Sequence, residues 1–267
     1  KKLAMKKKSK RRNRNGASSS SAPSQDQTNS LLEHYQSGRF DDAESLAASL
    51  VEEFPEHPFG WKVLGVLLYE TRRLTESLLP MRKLVEVSPR DAQAHYNLGA
   101  TLKELGRLSE AEASFNHAIV LSPDNAEAHN YLGTTLLELG RLAEAEASLM
   151  SALASNPLSA EAHYNLGLVL QDSSKLSEAE VSYNRAIALR PDFAEAHNNL
   201  GATLKKLGRL AEAEASNKRA TELMPDYAEA HHNLAVSLQE QGRLDEAKVR
   251  YKKAIALKPD FAEAHSG

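Results

Sequence analysis

A block of 34 residues recurs along this chain, and no other feature limits the fold as much. Residues 194–227 read AEAHNNLGATLKKLGRLAEAEASNKRATELMPDY, and the block before them, 160–193, reads AEAHYNLGLVLQDSSKLSEAEVSYNRAIALRPDF. Residues 92–125, 126–159 and 228–261 follow the same plan. A fixed period of this length makes each block one supersecondary unit, so the chain is expected to stack rather than close around a single globular core.

The spacing inside a block says what that unit is. In 92–125, His95, Leu98, Gly99 and Leu102 fall at i, i+3, i+4 and i+7, one stripe of a helix. Leu108, Ala111, Phe115, Ala118 and Ile119 make a second stripe of the same period. Gly106 between them suits the left-handed residue that ends a helix. Pro123 stops the second helix, since it has no N–H to donate and its ring clashes with the preceding turn. Asp124 then stands three residues before Glu127, the spacing of a capping box, as do Asp192/Glu195, Asp226/Glu229 and Asp260/Glu263. Each block therefore reads as a helical hairpin that buries its stripes only by stacking on neighbours.

These residues resemble the tetratricopeptide repeat family. The likeness rests on Leu98, Gly99, Ala111, Phe115, Ala118 and Pro123 and their equivalents one period on. Those are Leu132, Gly133, Ala145, Leu149, Ala152 and Pro157, then Leu166, Gly167, Ala179, Tyr183, Ala186 and Pro191. Leu200, Gly201, Ala213, Ala220 and Pro225 continue the series, followed by Leu234, Ala247, Tyr251, Ala254 and Pro259. The resemblance implies an all-α, right-handed superhelical solenoid of seven helix-turn-helix repeats. They lie at 24–57 (degenerate), 58–91, 92–125, 126–159, 160–193, 194–227 and 228–261, between a tail at 1–23 and the start of a truncated further repeat at 262–267.

Some positions depart from the pattern. Asn217 stands where Phe115, Tyr183 and Tyr251 stand, and Thr221 where Ile119 and Ile255 stand, which reads as local drift with a partly exposed helix. His takes the place of the family's frequent Trp at the fourth position of each block, whereas Trp61 keeps it. Residues 24–57 form a worn first repeat, an N-terminal cap with a wet outer face. Pro80 falls within the second half of its repeat and predicts a kink or a shortened helix there.

Charge is distributed unevenly. Lys1, Lys2, Lys6, Lys7, Lys8, Lys10, Arg11, Arg12 and Arg14 precede the first acid, and without them the chain holds 24 basic against 36 acidic residues, a net −12. The basic run reads as a solvated tail, with a nuclear-import or nucleic-acid patch and attraction to an anionic surface as alternatives. No aromatic interleaves it to stack on bases. Residues 15–30 are polar and read as a flexible linker. Lys1 to Ala4 read as a cloning remnant ahead of Met5. No secretory signal and no membrane-spanning run is legible, so a cytoplasmic address is expected, or a nuclear one through the basic run. Residues 262–267 open another block and stop, which reads as a fragment of a longer protein or as an uncapped face that packs on something, including a second copy.

Catalysis finds no residues. The chain has no cysteine, excluding disulfides and thiol chemistry. It carries no nucleophile elbow, no phosphate-binding Gly loop, no H-E-x-x-H and no dinucleotide fingerprint. No cofactor is expected. His95, His129, His163, His197, His231 and His265 recur once per block, but neighbouring repeats stand about 10 Å apart and zinc ligands must lie about 2 Å from one ion. They read as packing residues, not a metal array. His231 and His232 are adjacent on a helix and do not face each other.

The face left over on each first helix is the candidate site. Asn97, Asn165, Asn199 and Asn233 recur at one position, with Tyr131 breaking the series. Glu127, Glu161, Glu195 and Glu229 recur at the second position, and Tyr96, Asn130, Tyr164, Asn198 and His232 lie alongside. Lys103, Lys205 and Lys206 add positive charge. The resemblance implies that this face lines a concave groove. Carboxamides there offer a donor and an acceptor matched to the N–H and C=O of an extended peptide, and the pattern is similar to the repeat arm of O-GlcNAc transferases. The carboxylate clamp of chaperone-binding members is missing, since its slots hold Tyr96 and Ala100, Asn130 and Thr134, or Asn198 and Ala202. The row of Glu favours peptides that are neutral or carry some Lys or Arg. The expected function is a protein-interaction scaffold holding an extended segment, with the recognition arm of a larger glycosyl-, sulfo- or methyltransferase as the alternative.

Overall fold

The structure, a computed structural model, describes residues 22–259. The basic run, residues 260–267, His265 and the Asp260/Glu263 pair lie outside the described residues. Among those described there are fourteen helices, joined as seven hairpins: α1 (Gln25–Gln36) with α2 (Phe40–Glu53), α3 (Pro58–Glu70) with α4 (Leu74–Val87), α5 (Ala92–Glu104) with α6 (Leu108–Leu121), α7 (Ala126–Glu138) with α8 (Leu142–Ser155), α9 (Ala160–Asp172) with α10 (Leu176–Leu189), α11 (Ala194–Lys206) with α12 (Leu210–Leu223), and α13 (Ala228–Glu240) with α14 (Leu244–Leu257). Each helix packs on the next in sequence, and from α3 onward the first helices of successive hairpins also touch.

The stripes are buried as their spacing demands. Ala111, Phe115 and Ala118 of α6 are buried, as are Ala179, Tyr183 and Ala186 of α10. Burying one large apolar side chain stabilises by roughly 1.5–3 kcal/mol, so the large residue at this slot contributes much of what a hairpin gains. It sits against a bare backbone: a Cβ on Gly167 would stand 2.5 Å from the Tyr183 ring. The turn inside the hairpin is left-handed, with Gly106 at φ 71° and its N–H donating 2.8 Å to the Lys103 carbonyl. Arg72 and Ser174 adopt the same conformation without being glycine, at φ 62° and 60°.

A second device locks neighbours together on the other side of the stack. Arg141, the residue ahead of α8, reaches Glu112 of the preceding hairpin at 2.7 Å and Glu144 of its own helix at 2.5 Å. Arg73, Arg209 and Arg243 repeat the bridge, and Lys175 makes its inter-repeat half with Glu146. Single exposed pairs are worth only ~0–1 kcal/mol, so each rung adds little beyond the buried stripes.

The histidines have a structural task. His95, His129, His163, His197 and His231 each place Nε2 3.0–3.2 Å from the carbonyl of Pro89, Pro123, Pro157, Pro191 or Pro225, six residues upstream. A carbonyl can only accept, so Nε2 donates. Trp61 donates from Nε1 to the Pro55 carbonyl at 2.7 Å. His therefore replaces Trp as a ring N–H that ties the first helix to the turn before it.

Four expectations are corrected. Residues 15–30 are not all linker: α1 begins at Gln25, because Ser24 and Gln27 form a reciprocal capping box. Asp124 does not cap α7. Asn125 does, accepting from the Ala128 N–H at 2.9 Å, while Phe193 and Tyr227, at the capping positions ahead of α11 and α13, give no side-chain cap, so Asp192 and Asp226 stand one residue before the capping position. Pro80 is buried within α4, which keeps the 14 residues of its counterparts instead of shortening. Asn217 is not on an exposed helix; it is 1 % exposed, with Nδ2 3.5 Å from Ser237 Oγ and Oδ1 lacking a partner among the described residues.

Candidate functional site

The first helices α5, α7, α9, α11 and α13 lie side by side, and their sixth positions are tied across the stack. Asn165 donates to Asn130 Oδ1 at 3.0 Å, and Asn233 to Asn198 Oδ1 at 2.9 Å. Asn199 donates to the Tyr164 hydroxyl at 3.0 Å, and Asn198 to the Tyr227 hydroxyl at 3.3 Å. At the other end Tyr131 meets Tyr96 edge-on, with centroids 5.4 Å apart, and Asn97 accepts from Gln93 within its own helix at 2.8 Å. Asn165, Asn199 and Asn233 thus serve as a strut between repeats before they are anything else, while Asn97 is tied within its own helix. A carboxamide that donates one N–H keeps a second N–H and its oxygen, so the strut leaves hydrogen-bonding capacity over.

Two hollows open on this face. The larger, about 510 Å³, is lined only by first helices and by Phe193 at the head of α11. It gathers six of the expected residues: Lys103, Asn130, Tyr131, Glu161, Tyr164 and Asn165. Leu137 and Leu168 supply apolar wall, and Thr134 and Glu138 complete the lining. The smaller, about 150 Å³, takes in Tyr96 and Asn97 and shares Tyr131 with the first. A groove of about 360 Å³ runs on the opposite side among α6, α7 and α8, around Glu112, His129 and Ser148.

Charge in the larger hollow is matched internally. Lys103 pairs with Glu138, and Arg190 holds Glu161 at 2.7 Å while its guanidinium sits 3.6 Å over the Phe193 ring. Phe193 in turn packs on Tyr164 with centroids 4.7 Å apart. Burial, followed by the nearby Glu195 carboxylate, raises the Tyr164 hydroxyl above its usual range, against the Asn199 hydrogen bond. Tyr227 is pushed up to about 12, again mainly by burial. These phenols stay neutral donors and acceptors at physiological pH.

The other expected residues lie outside the hollows. Asn198 is buried and accepts from Asn233 of α13, while Asn199 ties α11 back to Tyr164 of α9. Glu229 is paired with Lys258 at 2.8 Å and Lys205 approaches Glu240 at 3.9 Å. Glu127 and Glu195, at the starts of α7 and α11, carry no ion pair among the described residues, and Glu127 is exposed.

Sequence reasoning passed over Phe193, Arg190, Leu137, Leu168 and Thr134. A signal for Phe193 was present: the last position of the block, a polar cap as Asn125 and Ser159, changes to Phe193 and Tyr227. Giving up a polar N-cap costs about 1 kcal/mol, and here an aromatic ring on the groove side takes its place.

With this geometry in view, comparison with known proteins is decisive at the level of the family. Tetratricopeptide repeat profiles match residues 31–86, 81–113, 104–167 and 192–260, and a TPR repeat profile matches 172–208. The chain belongs to the tetratricopeptide repeat family. Among solved structures, it is similar to YrrB, described as a TPR protein with an unusual peptide-binding site, at 26 % identity and TM-score 0.58 over 70 % of this chain and 96 % of that one. It shares its fold with the APC/C hetero-tetramer Cut9–Hcn1 (19 % identity, TM-score 0.74, 88 % of this chain and 46 % of that one). It also shares its fold with PilF of Pseudomonas aeruginosa (20 % identity, TM-score 0.70, 78 % of this chain and 95 % of that one). The search of curated proteins returns no match. This tetratricopeptide repeat protein is therefore an all-α superhelical solenoid, a fold that generally serves as a protein-interaction scaffold. None of its described helices is long and apolar enough to cross a membrane.

Proposed function

We propose that this tetratricopeptide repeat protein is a non-catalytic scaffold that holds an extended peptide segment along the face of its first helices. The supporting observation is the hollow of about 510 Å³ on that face, where carboxamides, tyrosines and apolar side chains from two successive repeats converge beside Lys103 of a third. An extended chain exposes unpaired N–H and C=O groups all along its length, and carboxamides can satisfy both while asking little of the sequence. The peptide-binding site for which YrrB is described adds support from a relative. No observation favours the recognition arm of a larger transferase.

The test is selection of a displayed random heptapeptide library on the protein, and on a variant with Asn97, Asn165, Asn199 and Asn233 all changed to Ala. Because Asn165, Asn199 and Asn233 also bridge repeats, both proteins must first show equal helicity. Peptides that bind the parent and are lost with the variant support the reading. Peptides that bind both equally place recognition elsewhere and sink it.

A further inference from the structure

Building on that reading, we infer that the hollow between α5 and α9 is an anchor pocket for one uncharged aromatic or bulky aliphatic side chain, presented by a segment with Lys or Arg three residues to either side. Tyr131, Leu137, Tyr164, Leu168 and Phe193 provide apolar and aromatic wall. The charges at its edge are already spent on one another, Lys103 on Glu138 and Glu161 on Arg190. A charged side chain entering there would lose its hydration against the apolar wall and find no free countercharge, so the occupant is uncharged.

The flanking preference follows from the row of carboxylates. Glu161 lies at the pocket, while Glu127 and Glu195 lie one repeat to either side and have no ion pair among the described residues. Packed helices stand about 10 Å apart and an extended chain advances about 3.3 Å per residue. One repeat therefore matches roughly three residues of ligand. A basic residue at that distance meets a carboxylate without an ion pair among the described residues on each side, Glu127 exposed and Glu195 half-buried.

The backbone of the anchor residue also finds partners. Asn165 spends one N–H on Asn130 Oδ1. That leaves the Asn165 oxygen as an acceptor and the Asn130 amide nitrogen as a donor, both lining the pocket. One takes the ligand's N–H and the other its C=O.

The same library decides this, with Thr134→Trp added to fill the pocket. Position nine of the repeat already holds Ala100, Thr134, Leu168, Ala202 and Val236, so its helices accommodate side chains of different size. The expected result is enrichment of peptides with a central Phe, Tyr, Trp, Leu or Met and Lys or Arg at the third residue before and after. Changing the central residue to Ala, or Thr134 to Trp, then weakens binding at least about thirtyfold, as loss of a buried anchor does. Replacing the flanking Lys with Glu weakens it further. Two results overturn the inference separately from the groove itself. They are enriched peptides with no bulky uncharged residue, or binding that survives Thr134→Trp yet disappears with the Asn variant. Binding indifferent to both variants, or no enrichment, overturns the groove and the pocket together.

Discussion

Tyr183 and Asn217 occupy the same slot one repeat apart, on hairpins whose backbones are alike. Helices α9 and α11 have 13 residues each, and α10 and α12 have 14. In both, the side chain is buried against a glycine of the first helix, Gly167 in one case and Gly201 in the other. Around Tyr183 an apolar cluster runs through Leu170, Leu200, Leu204 and Ala213. Around Asn217 it stops, and a separate cluster resumes at Leu234, Leu238 and Tyr251. The hairpin's shape thus comes from the small residues that let helices approach, here Ala213 and Ala220 as well as the glycine. The large residue adds stability without being needed for shape.

That difference is open to measurement, most strongly at Tyr183. Tyr183→Ala removes a fully buried ring and is expected to lower unfolding free energy by about 3–5 kcal/mol, read by denaturant titration. If Asn217→Ala lowers it as much, the two slots are energetically equivalent and the comparison fails. A smaller, opposite effect is expected from Asn217→Leu. Leu149 already fills this slot opposite Gly133, and leucine would remove an amide oxygen that is buried without a partner, raising stability by about 1–3 kcal/mol. Because repeat arrays open locally, the gain belongs to α11–α14 and should appear as slower amide exchange there. A loss would mean that the Asn217–Ser237 contact holds the junction together.

The smallest effect is a pH dependence. Burial lowers the His163, His197 and His231 imidazoles below their ordinary value, nearby basic side chains adding to it and the Pro carbonyl bonds opposing it. The unfolded chain then binds more protons than the folded one in mild acid. This contribution is complete above the unfolded value of about 6.5 and is lost as pH falls through the lowered folded values. The melting temperature should drop between pH 7.5 and 5.5, and less so in a His197→Gln variant. A melting temperature that rises in acid contradicts the sign.

Much of this was legible in the chain. The period, the two helical stripes, the left-handed Gly106 and the match of His to the Trp61 position needed only spacing and residue type. The capping register did not yield so easily. Asp124 and Glu127 have the right separation, but the turn after Pro123 starts the helix one residue late and Asn125 becomes the cap. Separation alone carries no phase.

The site divided in the same way. The sequence by itself determined that Asn, Glu and Tyr recur on one face of the first helices, because a helix of fixed period keeps equivalent positions in line. Only the stacking decided what each would touch. Asn165 bonds Asn130, while Asn199 finds Tyr164 instead, since the partner is whatever residue the previous repeat holds 35 positions earlier. Stacking also carried Phe193, from the end of one block, into a hollow lined by three other first helices. A repeat fixes the faces of its own helices, but a hollow between repeats depends on residues from several blocks at once.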